Sequence, residues 1–161
     1  MEAGTNLLTV LVQAGAALRQ ADVPFCLVGG LAVAILAKPR ATEDVDIALA
    51  AREQDIARLG PLLRAHLQVV QDTTVIRLSN VTIWRVLVKP DMNEPETMVV
   101  LDFLLADRPE IARAIRRALP IKVGADEIPV ARIDDLMALK KLSGRPQDLL
   151  DLDSLKDVDR S

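Results

Sequence analysis

The chain has 161 residues, half of them apolar, and a formal net charge of −3. That is enough apolar material for one hydrophobic core, so a single domain over residues 1–161 is expected. The mild negative charge excludes the broad positive field of a general nucleic-acid binder, and the aromatics Phe25, Trp84 and Phe103 are too few for a base-stacking platform.

Thr5 or Asn6 can cap a first helix, about Leu7 to Gln20, with Leu7, Leu8, Leu11, Ala14 and Leu18 near one face. Ala21-Asp22-Val23-Pro24 breaks it, and Phe25 to Val28 reads as a buried strand. Gly29-Gly30 is a tight turn before a short apolar helix, Leu31 to Ala37, which Pro39 stops. The loop Lys38 to Glu43 leads into a second strand, Asp44 to Leu49. Arg52 to Ala65 can be helical, with a break or bend near Gly60-Pro61.

From Leu67 the pattern changes to strands: Leu67 to Val70, Thr74 to Leu78, Thr82 to Val88 and Met98 to Leu105. Pro109 to Leu119 reads as a helix with Pro at its first turn and Arg113, Arg116 and Arg117 towards its end. That arginine group reads as a solvated face, with RNA contact as the rival role. Ile121 to Val123 and Ile128 to Val130 form a strand pair, and Ile133 to Leu142 a helix that Gly144 ends. Pro146 opens another helix to about Leu155, and Lys156 to Ser161 should fray. The sum is an α/β (α+β) domain, a mixed sheet with helices packed on it. The lone Cys26 allows no internal disulfide and fits a reducing compartment. The start lacks the positive region of a signal peptide, and the longest apolar runs fall far short of the ~20 residues that span a bilayer. A soluble cytoplasmic protein without membrane contact is expected.

The chemistry concentrates in two blocks. Side chains on a strand alternate, so Asp44 and Asp46 share one face while Val45 and Ile47 face the core. Two such acids repel and resist joint burial unless something positive sits between them, and a divalent cation is the natural occupant. Upstream, glycines before a helix allow free N–H groups to approach a phosphate, and Gly30 is expected to need a positive φ. Asp102, between apolar Leu101 and Phe103, is a third acid in a strand. Lys140 interrupts an otherwise apolar helix, while Lys141 should point elsewhere, because successive helical residues diverge by roughly 100°. His66 lacks metal-ligand spacing and carries no assigned role.

The order Val28-Gly29-Gly30, a helix-length spacer, Asp44-Val45-Asp46-Ile47, then Asp102 resembles the nucleotidyltransferase superfamily of the DNA polymerase beta type. The run Asp134-Asp135-Leu136-Met137-Ala138-Leu139-Lys140, followed by Gly144-Arg145-Pro146-Gln147-Asp148, resembles its AbiEii-type branch of abortive-infection toxins and small relatives. The resemblance implies transfer of a nucleoside monophosphate from a triphosphate to an acceptor hydroxyl, with Mg²⁺ or Mn²⁺. It implies Asp44, Asp46 and Asp102 as catalytic metal ligands, and Gly29, Gly30 and Lys140 on the triphosphate. Arg40 and Thr42, just before the acids, either contact phosphate or lie on the surface; Arg145 and Asp148 either pair with each other or line the site. The related toxins modify nucleic acid, notably tRNA ends, in toxin–antitoxin or phage-defence settings. The rival readings are adenylyl transfer to a protein partner or an antibiotic, and a nucleotide-binding module without turnover. A homodimer is compatible with each. The chain is shorter than the longer toxins, which puts the acceptor in question more than the chemistry.

Overall fold

The computed structural model describes residues 2–37, 42–91, 93–94, 96–143, 153 and 155–158. Seven strands form one mixed sheet in the order β3-β4-β5-β2-β1-β7-β6. In chain order the elements are α1 (Glu2–Gln20), β1 (Phe25–Val28), α2 (Gly29–Leu36), β2 (Asp44–Leu49), α3 (Ile56–His66), β3 (Gln68–Arg77), β4 (Thr82–Lys89), β5 (Val99–Leu105), α4 (Pro109–Arg117), β6 (Leu119–Val123), β7 (Asp126–Val130) and α5 (Ile133–Ser143). No helix among the described residues is long and apolar enough to cross a membrane.

The core lies where the apolar alternation of the central strands meets α1. Val45, Ile47 and Leu49 of β2, Leu101, Phe103 and Leu105 of β5, and Trp84, Val86 and Val88 of β4 are all buried. α1 presents Leu7, Val10, Leu11, Ala14 and Leu18 to this layer, and Gly15 passes close to Phe25 and Ile128. β1 is buried along its whole length because it runs mid-sheet between β2 and β7. Cys26 there is fully covered, and its thiol is pushed up to about 12 by burial and then by the nearby Asp135 charge.

α1 ends in a motif that the sequence marks only as a breaker. Asp22 adopts φ 57°, and the bonds Asp22 N–H to Arg19 O and Val23 N–H to Leu18 O close a Schellman cap. Buried Val23 and Leu18 supply its apolar contact. Thr5 and Asn6 lie inside α1 rather than capping it.

The strand and helix limits differ from expectation most at β3, α3, α4 and α2, while α1, β6 and β7 begin earlier, at Glu2, Leu119 and Asp126. β3 is one ten-residue strand, not two, because irregular register between Val69 and Thr74 accommodates the polar Gln71-Asp72-Thr73 as bulges. Asp72 turns inward there: its carboxylate accepts from Arg64 at 2.8 Å and its carbonyl from Trp84 Nε1 at 2.7 Å. α3 runs through Gly60-Pro61 without breaking; it starts at Ile56 after a short 3₁₀ turn, Glu53–Asp55. Pro61 removes one intrahelical bond, and the burial of Leu59 and Leu63 with the Arg64–Asp72 pair outweighs it. α4 stops at Arg117, and Leu119 already belongs to β6. α2 begins at Gly29 itself, so the turn and the helix start coincide. The expected helix from Pro146 and its ends, with Arg145 and Asp148, falls largely outside the described residues, although 155–158 are helical.

Arg113 and Arg117 of α4 are not a plain solvated face, while Arg116 is exposed. Arg117 bonds Asp135 at 3.1 Å and Asp134 at 2.9 Å, and Arg113 lies 3.3 Å from Asp135, so a clasp joins α4 to α5. Asp135 is buried, and its Oδ2 has no hydrogen-bond partner among the described residues. Partial burial pushes the Asp134 carboxyl up, but the Arg117 hydrogen bond and charge outweigh it and hold it below its ordinary value. A carboxylate held low contributes stability above the unfolded-state pKa and loses it as pH falls through the folded one. Arg117→Ala is expected to cost about 2–3 kcal/mol in urea denaturation near neutral pH, since it strips a buried carboxylate of its main partner. Arg113→Ala, at a more exposed position, should cost less than about 1 kcal/mol. Replacing the left-handed cap residue, Asp22→Gly, should raise stability by about 0.5–1 kcal/mol in the same measurement.

Candidate active site

Three neighbouring strands bring the expected acids into one row. β2 and β5 pair in parallel with Asp46 opposite Asp102, and β5 pairs antiparallel with β4 so that Asp102 stands opposite Arg85. On the other side, β1 pairs antiparallel with β2 and sets Val28 opposite Asp46. Directly paired residues share a sheet face, so Arg85, Asp102, Asp46 and the Val28-Gly29 junction line up across four strands. Asp44, two residues before Asp46, lies on the same face opposite Val100. This face is opposite to the Ile47–Phe103–Trp84 core layer.

Asp102 is 5% exposed, whereas Asp44 and Asp46 are half-buried. Burial of a carboxylate demands a partner, and Arg85 provides it: Nε donates to Oδ1 and Nη2 to Oδ2, both at 2.9 Å. The Asp102 hydrogen bond raises the Arg85 pKa above its already high ordinary value, with the charges of Asp102, Asp44 and Asp46 acting the same way against partial burial. Asp102, Asp46 and Asp44 thus share this face with the Arg85 guanidinium. Arg85 was not among the residues expected at the site. Its signal was available: it is a lone charge inside the apolar run Thr82 to Val88, at the alternating position that cannot face the core.

Gly29 is the close-approach residue. It has φ 72°, and a Cβ there would fall within 2.7 Å of the Asp46 Cβ and 2.8 Å of its Cγ, with Oδ2 nearer still. Both the conformation and the space therefore require glycine. Gly30, expected to hold the positive φ, does not; it is a buried residue in the first turn of α2. The reason is that the chain reverses at the first residue after β1, so the left-handed step is taken before the second glycine.

The remaining expected residues divide. Thr42 bonds through its hydroxyl to the Asp44 carbonyl at 3.3 Å, which places it at the head of β2. Lys140 is 7% exposed on α5, which packs against α2, whereas Lys141 is exposed. Arg40 lies outside the described residues. Among the described residues no three His, Cys, Asp or Glu side chains stand together as a ready metal cage. The donor chemistry nonetheless fits Mg²⁺ or Mn²⁺: the acids are carboxylates, on one face, with two in direct register.

A mixed sheet with an acid pair on the strand after a glycine turn, and a third acid on the neighbouring parallel strand, is the architecture of nucleotidyltransferases. The chain belongs to the AbiEii family, described as nucleotidyl transferase AbiEii toxin, type IV toxin–antitoxin system, whose model matches residues 10–159. The protein is accordingly a transferase of the nucleotidyl-transferring class. No curated protein matches the sequence. Among solved structures, an antigenic nucleotidyltransferase-like protein from Paracoccidioides brasiliensis is similar, with TM-score 0.60 and 17% identity over 94% of this chain and 75% of that one. JHP933 from Helicobacter pylori gives TM-score 0.56 and 18% identity, covering 94% of this chain and 65% of that one. The lincosamide antibiotic adenylyltransferase LnuA, lincomycin-bound, gives TM-score 0.52 and 17% identity over 88% and 90%. At these identities the likeness is one of fold.

Gly29→Ala is expected to cost about 1–3 kcal/mol, from the left-handed backbone and the displaced Asp46 side chain. Circular dichroism melting checks the stability. A crystal structure of the variant should show the Asp46 carboxylate moved.

Proposed function

We propose that the chain transfers a nucleoside monophosphate from a triphosphate to an acceptor hydroxyl, using the face built from β2, β5 and β4. The observation that carries this reading is the register that sets Asp102 beside Asp46 while the Gly29 backbone packs under Asp46. Asp44, Asp46 and Asp102 would hold Mg²⁺ or Mn²⁺, which when bound supplies charge neutralisation at the phosphates and a lowered pKa of the acceptor hydroxyl. Asp44 and Asp46 serve the nucleotide side of the reaction and Asp102 the acceptor side. The N–H groups at the start of α2, beginning at Gly29 and Gly30, are suited to phosphate oxygens. Lys140, buried on the helix that packs against α2, would balance triphosphate charge, with Arg40 and Thr42 as further contacts.

The family's toxin–antitoxin description supports a nucleic-acid acceptor, and tRNA is the first to test. A second reading, adenylyl transfer to a small hydroxylated molecule or to a protein partner, draws support from the fold shared with LnuA. Labelling with each of the four triphosphates, in Mg²⁺ or Mn²⁺, against tRNA, total RNA, lysate protein and hydroxylated antibiotics separates these acceptors. Label on tRNA is the expected result. Triphosphate binding without label on any acceptor would instead favour a binding module.

Two variants test the division of labour. Asp46→Asn should weaken cation-dependent triphosphate binding and transfer together. Asp102→Asn should keep binding in calorimetry and lower the transfer rate by about 10²–10³, the scale of removing one preorganised electrostatic group. Full transfer by Asp102→Asn removes Asp102 from the site.

A further inference from the structure

Arg85 grips Asp102 through its full fork. Both carboxylate oxygens are engaged at 2.9 Å, the carboxylate side chain is 6% exposed, and the arginine side chain is 40% exposed. A cation approaching Asp102 meets oxygens already bonded and a positive charge already in place. Mg²⁺ binds carboxylate oxygens at about 2.0–2.1 Å, closer than a guanidinium bonded to the same oxygens tolerates. The two positive groups therefore compete. The guanidinium fork matches a phosphate as well as it matches a carboxylate, and Arg85 has the length and exposure to swing out along the sheet face.

We propose that Arg85 and a divalent cation are alternative occupants of Asp102, and that Arg85, once displaced, becomes a ligand of the triphosphate. The inference rests on the nucleotidyl-transfer reading of the same face. Without substrate, Arg85 keeps a buried carboxylate paired, so the resting protein is stable without metal there. When a triphosphate arrives with its cation, Arg85 exchanges one anionic partner for another. At no stage is either the acid or the arginine left alone in a partly buried place. Cation and triphosphate must then load together, because each makes room for the other.

The test titrates Mn²⁺ onto wild type, Arg85→Gln, Arg85→Lys and the double variant Arg85→Gln/Asp102→Asn by calorimetry, first without nucleotide. The four triphosphates follow, as non-hydrolysable α,β-methylene analogues, at saturating Mn²⁺. Arg85→Gln should bind Mn²⁺ alone at least tenfold more tightly than wild type, and the double variant should lose that gain. Arg85→Gln should also bind the Mn²⁺-loaded analogue at least tenfold more weakly than wild type. Arg85→Lys keeps the charge but not the fork, and should shift both affinities in the same directions by less. Mn²⁺ should also raise the melting temperature of Arg85→Gln more than that of wild type, as the cation takes over the missing charge. If neither single variant gains Mn²⁺ affinity while wild type binds the analogue, the inference alone is overturned, and Arg85 only holds Asp102 in place. If wild type binds no analogue with Mn²⁺ or Mg²⁺, the nucleotidyl-transfer reading is overturned and the inference with it.

Discussion

Asp46 and Asp102 stand side by side on neighbouring parallel strands, about 4.8 Å apart at the backbone, with Asp44 close by on the same face. Like charges at that spacing oppose folding unless the surroundings compensate. Among the described residues Arg85 supplies counter-charge and Gly29 supplies space. Arg85, one strand further out, takes both oxygens of the most buried acid. On the inner side, Gly29 removes the side chain that would collide with Asp46 and lets the chain turn into α2 at that point. The parallel β2–β5 pairing is itself made by a long crossover through α3, β3 and β4, so the strand that completes the acid row arrives together with the strand that supplies its counter-charge.

The opposite face of the same strands explains why the row can be held in register. Trp84 and Phe103, each one residue away from Arg85 and Asp102, pair across β4 and β5 with their rings stacked at 5.0 Å. Trp84 is further fixed by its indole N–H to the Asp72 carbonyl, and Asp72 by Arg64 of α3. A slip of β4 by one residue against β5 would exchange its faces, burying Arg85 in the core and exposing the Trp84 ring. Core packing therefore sets the geometry of the charged face. Register held behind the sheet fixes where the side chains in front of it begin, as a preorganised site requires.

The clasp between α4 and α5 links stability to the same site by another route. Asp134 and Asp135 open α5 and are gripped by Arg113 and Arg117 of α4. Lys140 lies further along that helix, buried, and α5 packs on α2 where the glycine turn ends. The position of Lys140 thus depends on ion pairs more than a helical turn away.

Much of this was written in local sequence. An apolar run after a breaker placed β1, alternation of acids with apolar residues placed β2, and Val, Ile, Thr and Leu between polar turns placed β4 and β5, each to within a residue or two. The glycine pair, the acids Asp44, Asp46 and Asp102, and the divergence of Lys140 from Lys141 follow from the same short-range periodicities. Tertiary structure decided what those periodicities do not encode. Gln71-Asp72-Thr73 is polar enough to read as a turn, and it is a bulge because Asp72 meets the buried Trp84 indole through its carbonyl and Arg64 of α3 through its carboxylate. Gly60-Pro61 reads as a break, and α3 continues because packing of Leu59 and Leu63 outweighs one lost bond. Which glycine takes the left-handed step depends on where Asp46 lies across the sheet. The partnership of Arg85 with Asp102 depends on strand order and register between residues 17 apart in sequence, and those are properties of the assembled sheet rather than of either strand.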